Sequence, residues 1–314
     1  MKTLNEVYSA PSMRRRYEVW FLRMGLADGT GAWWFRYLLM NPGRPGCPAN
    51  PRGMPVQVWA TWFPRDTPAM TWIQGFPIDQ LKLSGRGENP FAFQVGSNRI
   101  DQHFCRGDLA LEGHKISWDL HYRSTFRVTL SNKGWIGFSR TPHSDAVFSG
   151  RVTLDGQTFE GDPLGFGVQG HNCGYRHRSF WAWTHAYFLR AGHPASTFEA
   201  LVYDMPLGLV FRRAVLWHDQ QKYEFRRLQT EKPTALFAWN LRSSGNEADL
   251  DAKIDGSGPS QHRISYLRTD CSGSFEVTNN SLSRAKVRVQ LLGKTPEVLE
   301  TTNGAVLEVA GQPI

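Results

Sequence analysis

Strand-length segments that alternate with turn-forming residues run through the whole sequence, and this feature most limits what the chain can fold into. The segments are roughly 6–11 residues long, which is typical of β-strands, and helical periodicity is scarce. Asp155-Gly156 gives the clearest turn, because Asp-Gly favours the left-handed dihedrals of a two-residue hairpin. Tyr17–Met24 and Ala32–Met40 flank another turn-rich stretch and predict a second hairpin.

Many short strands, frequent turns and little helix predict an all-β fold of antiparallel sheets closed into barrels or sandwiches. The chain has 314 residues, which exceeds what one such unit needs, so two consecutive units are expected. A boundary near residues 140–165 divides the chain about evenly. We therefore predict an N-terminal β domain over residues 1–150 and a C-terminal β domain over residues 151–314.

Charge and apolar runs limit the partners of the protein. Lys and Arg total 36 against 28 Asp and Glu, and the formal net charge of +8 favours anionic partners or membrane surfaces. The basic residues are scattered and no nucleic-acid-binding motif accompanies them, so nucleic-acid binding is not expected, whereas peripheral membrane contact is left open. The sequence contains neither the apolar run of a signal peptide nor a stretch of about 20 apolar residues.

The cysteines lie far apart in the sequence, at Cys47, Cys105, Cys173 and Cys271. None belongs to a Cys-x-x-Cys pair, which excludes a zinc knuckle or redox motif of that type. Free thiols are therefore expected. Together with the missing signal peptide, free thiols predict a protein of the reducing cytoplasm.

A segment rich in His and Trp, residues 170–187, is the strongest candidate for a functional site. It begins with Gly170–Tyr175, where His171 and Asn172 lie among glycines. The strand-like stretch that follows places alternate residues on one face: Trp181, Trp183, His185 and Tyr187. Small residues on the opposite face predict that this aromatic face lines a cavity. The alternative is an ordinary packed core in which His185 is hydrogen-bonded.

A metal site in this segment would use His171, His177 and His185. Their spacings of six and eight residues, with no carboxylate nearby in sequence, do not fit a metal-ligand pattern, so we expect no zinc and no other metal. A Ser-His-Asp hydrolase is not indicated either, because the Gly-x-Ser-x-Gly turn is missing.

Glu199 is the best candidate for an acid catalyst. Burial within a strand raises the pKa of a carboxyl group and makes it a proton donor near neutrality. Glu199 shares a strand face with Leu201 and Tyr203, which is unfavourable unless that face is wet or hydrogen-bonded. The alternative is an exposed Glu199 on an edge strand.

The order of segments is similar to that of a known superfamily: Tyr17–Leu22, then Trp33–Tyr37, then Gly170–Gly174 leading into Trp181–Trp183. It resembles the AttH-like and carotenoid 1,2-hydratase superfamily, a group that is similar to tocopherol cyclases and intramolecular Diels–Alderases. The resemblance implies two tandem lipocalin-like (calycin) β domains around a pocket at or near their interface. It also implies apolar, often isoprenoid or polyene, substrates and no redox cofactor.

Carotenoid hydratases carry a Tyr-His-Asp-His-Asn-Trp-Gly type motif, whose Asp is thought to protonate an alkene. His171, Asn172 and Gly174 match this motif, but Gly170 stands at the Asp position and Cys173 at the Trp position. The proton donor of the motif is therefore missing. This departure argues against carotenoid hydration itself and leaves a cyclising or pericyclic isomerase, or a carrier.

The sequence thus predicts a protein that binds an apolar small molecule, of isoprenoid, polyene or polyketide type, in an aromatic-lined pocket and promotes its cyclisation, isomerisation or hydration without a cofactor. The expected catalytic residues are His171, His185 and Glu199. The expected substrate-binding residues are Asn172, Tyr175, Trp181, Trp183, Tyr187 and Tyr203. One alternative is a non-catalytic lipid or isoprenoid carrier. Another is a carbohydrate-binding β-sandwich with exposed tryptophan platforms.

Overall fold

The computed structural model describes residues 4–10, 12–44, 47, 53–87, 89–133, 136–230, 233–234, 237–245 and 247–311. These residues form two antiparallel sheets, and helical structure among them is confined to short 3₁₀ turns such as Ile78–Gln80 and Pro206–Gly208. The predicted all-β fold is confirmed. In the same residues, no helix is long and apolar enough to cross a membrane.

The first sheet contains β1 (Tyr17–Leu26), β2 (Gly31–Met40), β3 (Val56–Pro64), β4 (Met70–Phe76), β5 (Lys82–Ser84), β6 (Ala92–Val95), β7 (Asn98–Asp101), β8 (Phe104–Leu111), β9 (His114–Arg123), β10 (Val128–Asn132), β11 (Gly137–Leu154) and β12 (Gln157–Gly174). Its strand order is β4-β3-β2-β1-β12-β11-β9-β8-β7-β6-β5, and β10 pairs with β11. The last strand of this sheet therefore returns to lie beside the first.

The second sheet contains β13 (Trp181–Arg190), β14 (His193–Asp204), β15 (Val210–His218), β16 (Gln221–Phe225), β17 (Gln229–Thr230), β18 (Ala238–Ser243), β19 (Ala248–Asp255), β20 (His262–Leu267), β21 (Ser274–Leu291) and β22 (Glu297–Ala310). Its strand order is β16-β15-β14-β13-β22-β21-β19-β18-β17, and β20 pairs with β21. Here too the last strand lies beside the first, so the two halves of the protein repeat one topology.

The predicted hairpins are confirmed. Asp155 and Gly156 join β11 to β12 with φ values of 50° and 87°. Glycine adopts such a φ without strain, and the pair forms a tight two-residue turn. The β1–β2 hairpin pairs Tyr17 with Met40.

The chain passes from the first sheet to the second between Gly174 and Trp181. The β11–β12 hairpin continues through the boundary expected at residues 150/151, and β12 also pairs with β1 along its second half. Residues 151–174 therefore belong to the first sheet. That residues 1–150 and 151–314 fold as independent domains stays a prediction.

One face of each sheet packs against the apolar core of its own half. Trp20, Leu22 and Met24 of β1 contribute to the first core, and Ala182 and Ala186 of β13 contribute to the second. The opposite faces meet in a third buried cluster, which includes Phe21, Trp34, Trp183, Leu201 and Val306. Strand alternation thus turns one face of β1, β2 and β13 towards the other half of the protein.

Two of the cysteines are not free thiols, which corrects the sequence-based expectation. Cys47 and Cys271 form a disulfide across 224 residues of chain, whereas Cys105 and Cys173 are free and buried. The pairing depends on how the two halves pack, which sequence spacing does not reveal. Because disulfides are typical of oxidising compartments, this bond removes the cysteine argument for a reducing cytoplasm, and a cytoplasmic location stays a prediction.

Candidate functional site

A cavity of about 420 Å³ lies between the two halves, where the outward faces of β1, β2 and β13 meet. Aromatic side chains of both halves form much of its wall: Phe21, Trp34, Trp59, Trp181, Trp183 and Tyr203. Lys133, Ile136 and Arg176 line the cavity and are also exposed, so it opens to solvent on that side. Its volume is within the range of small-molecule pockets.

The aromatic rings of the wall contact one another across the boundary between the halves. The ring of Phe21 lies edge-on to that of Trp183, with 5.6 Å between the centroids. The rings of Trp34 and Trp183 are tilted, with centroids 6.0 Å apart. These are favourable aromatic geometries, and they make the shape of the cavity depend on how the two halves pack.

A buried ion pair joins β2 to β22 in the cavity wall. The Arg36 Nη2 atom lies 2.8 Å from the Oε2 atom of Glu308, and the two side chains are only 11% and 12% exposed. The guanidinium also stacks over the rings of Trp34, at 4.2 Å, and Tyr266, at 4.9 Å. Trp181 Nε1 donates to Glu308 Oε1 at 3.1 Å. Burial lowers the pKa of Arg36, and the charge of Glu308 opposes that change.

His177 brings a neutral imidazole to the cavity. Its ring stacks on Tyr17 at a centroid distance of 4.2 Å. Burial, together with the nearby charges of Arg268 and Arg36, lowers the pKa of His177 to about 3. Its Nδ1 atom is buried and has no hydrogen-bond partner among the described residues. A neutral ring with an unpartnered nitrogen can form a hydrogen bond with a bound molecule.

The predicted substrate-binding residues divide into two groups. Four of them line the cavity: Asn172, Trp181, Trp183 and Tyr203. The Tyr203 hydroxyl is 2.9 Å from Ser131 Oγ, which fixes the ring in the wall. The role of these residues in binding stays a prediction.

Tyr175 and Tyr187 do not line this cavity. Tyr175 is 43% exposed and lies under the guanidinium of Arg15 at 5.0 Å. Tyr187 is buried, with its ring 5.5 Å from the guanidinium of Arg23. Arg23 in turn donates to the carbonyl oxygens of Asn303 and Ala305 at 3.1 Å each. Tyr187 therefore packs in the contact between the halves, where its strand extends beyond the cavity.

His171, a predicted catalytic residue, does not line this cavity either. Its Nε2 lies 2.9 Å from Glu18 Oε1, and its Nδ1 lies 2.8 Å from the carbonyl oxygen of Leu4. Both side chains of the His171–Glu18 pair are completely buried. Both ring nitrogens thus already lie within hydrogen-bond distance of oxygen atoms of the protein. This geometry favours a structural role, in which His171 joins β12 to β1 and to the N-terminal segment.

His185 lies on the predicted face of β13 but beyond the cavity. Its Nε2 donates to the Ser144 carbonyl oxygen at 2.7 Å, and burial lowers the pKa of His185 to about 3. The imidazole is therefore neutral at physiological pH. It matches the hydrogen-bonded core histidine that the sequence left open as an alternative.

Glu199 is buried directly behind the cavity wall. Its Oε1 accepts hydrogen bonds from Trp183 Nε1 at 3.0 Å and from Thr141 Oγ1 at 2.8 Å, while Oε2 has no partner among the described residues. Burial raises the pKa of Glu199 to about 7, although the two hydrogen bonds oppose the rise. The carboxyl group is thus not exposed on an edge strand. It reaches the cavity through Trp183 and does not line the cavity itself.

Replacement of Glu199 by Gln is expected to flatten the pH dependence of stability between pH 5 and pH 8. A carboxyl group whose folded-state pKa is raised to about 7 stabilises the fold at low pH, and this contribution is lost as the pH rises through the folded-state pKa. From pH 5 to pH 8 the wild type should lose on the order of 2–3 kcal/mol more than the variant. Denaturant unfolding at several pH values measures this difference.

The exposed Glu276 provides the control for that experiment. Its replacement by Gln should leave the pH profile of the wild type unchanged. Parallel profiles for the wild type and Glu199→Gln would instead mean that the Glu199 carboxyl titrates as in the unfolded chain.

The residues that could hold a metal ion lie away from the cavity. Donor atoms of His218, Asp219 and Glu297 lie within 4.8 Å of one another. Arg190 and Lys294 also approach Asp219, at 3.6 Å and 4.0 Å, so cationic side chains already offset that charge. The expectation that the central histidine segment holds no zinc stays a prediction.

Sequence reasoning missed Arg36 and Glu308, although each carried a signal. Arg36 interrupts the apolar strand Trp33–Met40, and Glu308 is the one charged residue within Ala305–Ala310. A charged side chain on the same strand face as Trp34 indicates a partner across the fold. Which partner it meets depends on the packing of the two halves.

The carbohydrate-binding alternative is wrong, because it needs Trp33, Trp34, Trp181 or Trp183 to lie flat on the surface. Trp33, Trp34 and Trp183 are at most 6% exposed, and the half-buried Trp181 lines the cavity with its Nε1 bonded to Glu308. Trp33 packs in the first core, and the rings of Trp34 and Trp183 face the cavity between the halves. The tryptophan-rich strands are buried on both faces, one against a core and the other against the cavity, and so they need tryptophans on both faces.

Solved structures share this fold, whereas the sequence by itself matches no family model and no curated protein. Kievitone hydratase from Nectria haematococca aligns over 99% of this chain and 95% of its own, with a TM-score of 0.57 and 12% identity. CghA, crystallised with Sch210972, aligns over 95% of this chain and 89% of its own, with a TM-score of 0.63 and 10% identity. A Nitrosomonas europaea protein described as an AttH aligns over 96% and 94%, with a TM-score of 0.53 and 11% identity.

These alignments cover nearly the whole chain and include both of its sheets. At such low identities the likeness is one of fold. It confirms that the chain has the AttH-like arrangement of two tandem lipocalin-like β units, which the order of the sequence segments indicated.

Proposed function

We propose that the protein binds an apolar, unsaturated small molecule of isoprenoid or polyene type in the cavity between its halves, and promotes its cyclisation, isomerisation or hydration with protein groups alone. The observation that carries this proposal is the cavity wall, which combines aromatic rings from both halves with the buried Arg36–Glu308 pair. Among proteins of similar fold, one is named as a hydratase, which supports chemistry of this class.

The cavity groups suit a reaction that reorganises bonds without oxidation or reduction. The faces of Trp34, Trp181 and Trp183 would stabilise positive charge that develops on an alkene carbon. His177, with its unpartnered Nδ1, would form a hydrogen bond with a polar group of the ligand and so orient it in the cavity. For a pericyclic cyclisation no proton transfer is needed, and the rigid wall would contribute by holding the reactant in a compact conformation.

A non-catalytic carrier is the second candidate, and a specific observation favours it. Glu308 is the only carboxylate among the described residues that line the cavity, and it is already paired with Arg36. Glu199, the buried acid with the raised pKa, does not line the cavity. A carrier would release its ligand chemically unchanged, whereas an enzyme would release an isomer or a hydrated product.

Mass spectrometry can test the proposed function in two steps. Native spectra of the purified protein should show an apolar molecule bound at one per chain. Incubation with linear isoprenoids and polyenes should then yield, only in the presence of the protein, a product of equal mass or one heavier by a water. A ligand that is recovered unchanged would favour the carrier, and failure to bind any member of the series would contradict both candidates.

Trp181→Ala is expected to weaken binding of such an apolar ligand by about 1–3 kcal/mol, the scale of losing one large ring from an apolar wall. Trp181→Phe should keep most of the affinity, because it keeps a ring and loses only the hydrogen bond to Glu308. Isothermal titration calorimetry gives the affinities. Trp217 is a matched control, since it is also half-buried but does not line the cavity. Equal losses in Trp181→Ala and Trp217→Ala would contradict the site.

A further inference from the structure

We propose that the molecule bound in the cavity carries an anionic group, which lies at the open side of the cavity against Lys133 and Arg178. This inference rests on the proposed function, because it specifies the ligand of the same cavity. The cationic side chains that line the cavity are Arg36, Lys133, Arg176 and Arg178, against the one carboxylate of Glu308 among the described residues. The cavity therefore offers an excess of positive charge.

The ion pair inside the cavity does not remove this excess. Glu308 is neutralised by Arg36 at 2.8 Å, and its oxygens also accept hydrogen bonds from Trp181 and Tyr266. No carboxylate pairs with Lys133, Arg176 or Arg178 in the part of the chain that the structure describes. These three side chains are thus available to a ligand.

Elsewhere on the second half, cationic side chains do find carboxylates. Arg213 Nη2 lies 2.7 Å from Glu224, and Lys286 Nζ lies 2.6 Å from Glu300. Other exposed cations, such as Arg151 and Arg288, do not line the cavity, so the cavity cations differ in that they converge on one apolar cavity. Uncompensated positive charge that converges on an apolar cavity indicates an anionic ligand.

Aromatic stacking holds two of these cations in place. Arg178 lies over the ring of Tyr203 at 5.1 Å, and Lys133 lies over the ring of Phe211 at 5.8 Å. The two rings stack on each other at 4.6 Å, and the Tyr203 hydroxyl is fixed by Ser131. One stacked pair of rings thus positions both charges beside the cavity. Cations positioned in advance in this way bind an anion with less loss of side-chain entropy.

The apolar end of the cavity limits the rest of the ligand. Phe21, Trp34, Trp183 and Leu201 belong to the buried cluster between the halves and also line the cavity. A molecule with an apolar body against these side chains and an anionic end against Lys133 and Arg178 satisfies both regions. Carboxylate and phosphate groups both carry the negative charge and the acceptor oxygens that Lys and Arg side chains bind.

A matched series with one farnesyl-type chain tests the inference: farnesoic acid, its methyl ester, and farnesyl phosphate. At pH 7.5 and fixed ionic strength, calorimetry should show the acid binding at least roughly tenfold more tightly than the ester, the scale of one charge-assisted hydrogen bond. A phosphate that binds more tightly than the acid would support the inference and identify the anionic group. An ester that binds as tightly as the acid would overturn it.

Lys133→Gln/Arg178→Gln should bring the acid-to-ester affinity ratio close to one while the affinity for the ester is kept. Binding of the ester also shows that the variant is folded. Arg151→Gln/Arg288→Gln is the control, because it removes two exposed positive charges that do not line the cavity. If this control lowers the ratio as much, the preference reflects overall charge and the inference is wrong. If neither acid nor ester binds to the wild type, the proposed function fails as well.

Discussion

Glu18→Gln is expected to lower the free energy of unfolding by about 3–5 kcal/mol, the scale of leaving one member of a buried ion pair without its partner. The Glu18 and His171 side chains are both 0% exposed and lie 2.9 Å apart. Glu18 also accepts hydrogen bonds from the backbone amides of Tyr8 and Ser9. A Gln side chain has nearly the same shape, but it removes the negative charge beside His171 and turns an NH₂ group towards one of the backbone amides that Glu18 accepts from. Denaturant unfolding near pH 7 measures the loss.

The same pair should make the protein less stable in acid. Burial alone would raise the pKa of Glu18, but the hydrogen bonds from His171, Ser9 and Tyr8 outweigh burial and lower it below its ordinary value of 4.5. A carboxyl group with a lowered folded-state pKa stabilises the fold above its unfolded-state pKa, and this contribution is lost as the pH falls through the folded-state pKa. The wild type should therefore lose stability below about pH 4.5, and Glu18→Gln should lose less.

Glu300→Gln is the control for the buried pair. Glu300 forms an exposed ion pair with Lys286, and such pairs contribute little, so a change within about 0.5 kcal/mol is expected. Similar losses in Glu18→Gln and Glu300→Gln would show that the buried pair does not stabilise the fold. A fall in ligand affinity per folded molecule of Glu18→Gln would restore a functional role for His171.

The elements that sequence reasoning placed correctly are those that depend on local chemistry. The Asp155-Gly156 turn follows from backbone dihedrals, and the β1–β2 hairpin follows from turn residues between two apolar segments. Alternation along β13 put Trp181 and Trp183 on the face that lines the cavity. Each of these inferences needs only neighbouring residues.

The parts of the site that were missed depend on pairs far apart in sequence. Arg36 and Glu308 are separated by 272 residues of chain. His171 and Glu18, which form a hydrogen bond, are separated by 153 residues. The sequence presents His171 as a polar residue in a glycine-rich segment, which fits a catalytic group and a buried ion pair equally well. Only the packing of β12 against β1 and against the N-terminal segment shows that both of its ring nitrogens are already used.

Arg36→Met is expected to lower the free energy of unfolding by about 3 kcal/mol or more, because it leaves Glu308 largely buried without its cation. Arg36→Met/Glu308→Leu should recover most of that loss, since an apolar pair of similar volume is often as stable as a buried ion pair. The double-mutant cycle then isolates the coupling energy of the two side chains.

Ligand binding and turnover should not recover in the same double variant. The Arg36–Glu308 pair presents two charged groups of the cavity wall, and Glu308 also fixes Trp181 through a hydrogen bond. We therefore expect stability to depend on having no isolated charge, and the proposed ligand binding to depend on having both charges in place. Calorimetry gives the affinity of each variant for an isoprenoid ligand, and denaturant unfolding gives its free energy of unfolding. Comparing the two separates the effect on binding from the effect on stability. The double variant could be stable and also bind and turn over ligand as the wild type does. That result would show that the Arg36–Glu308 pair contributes to the fold alone.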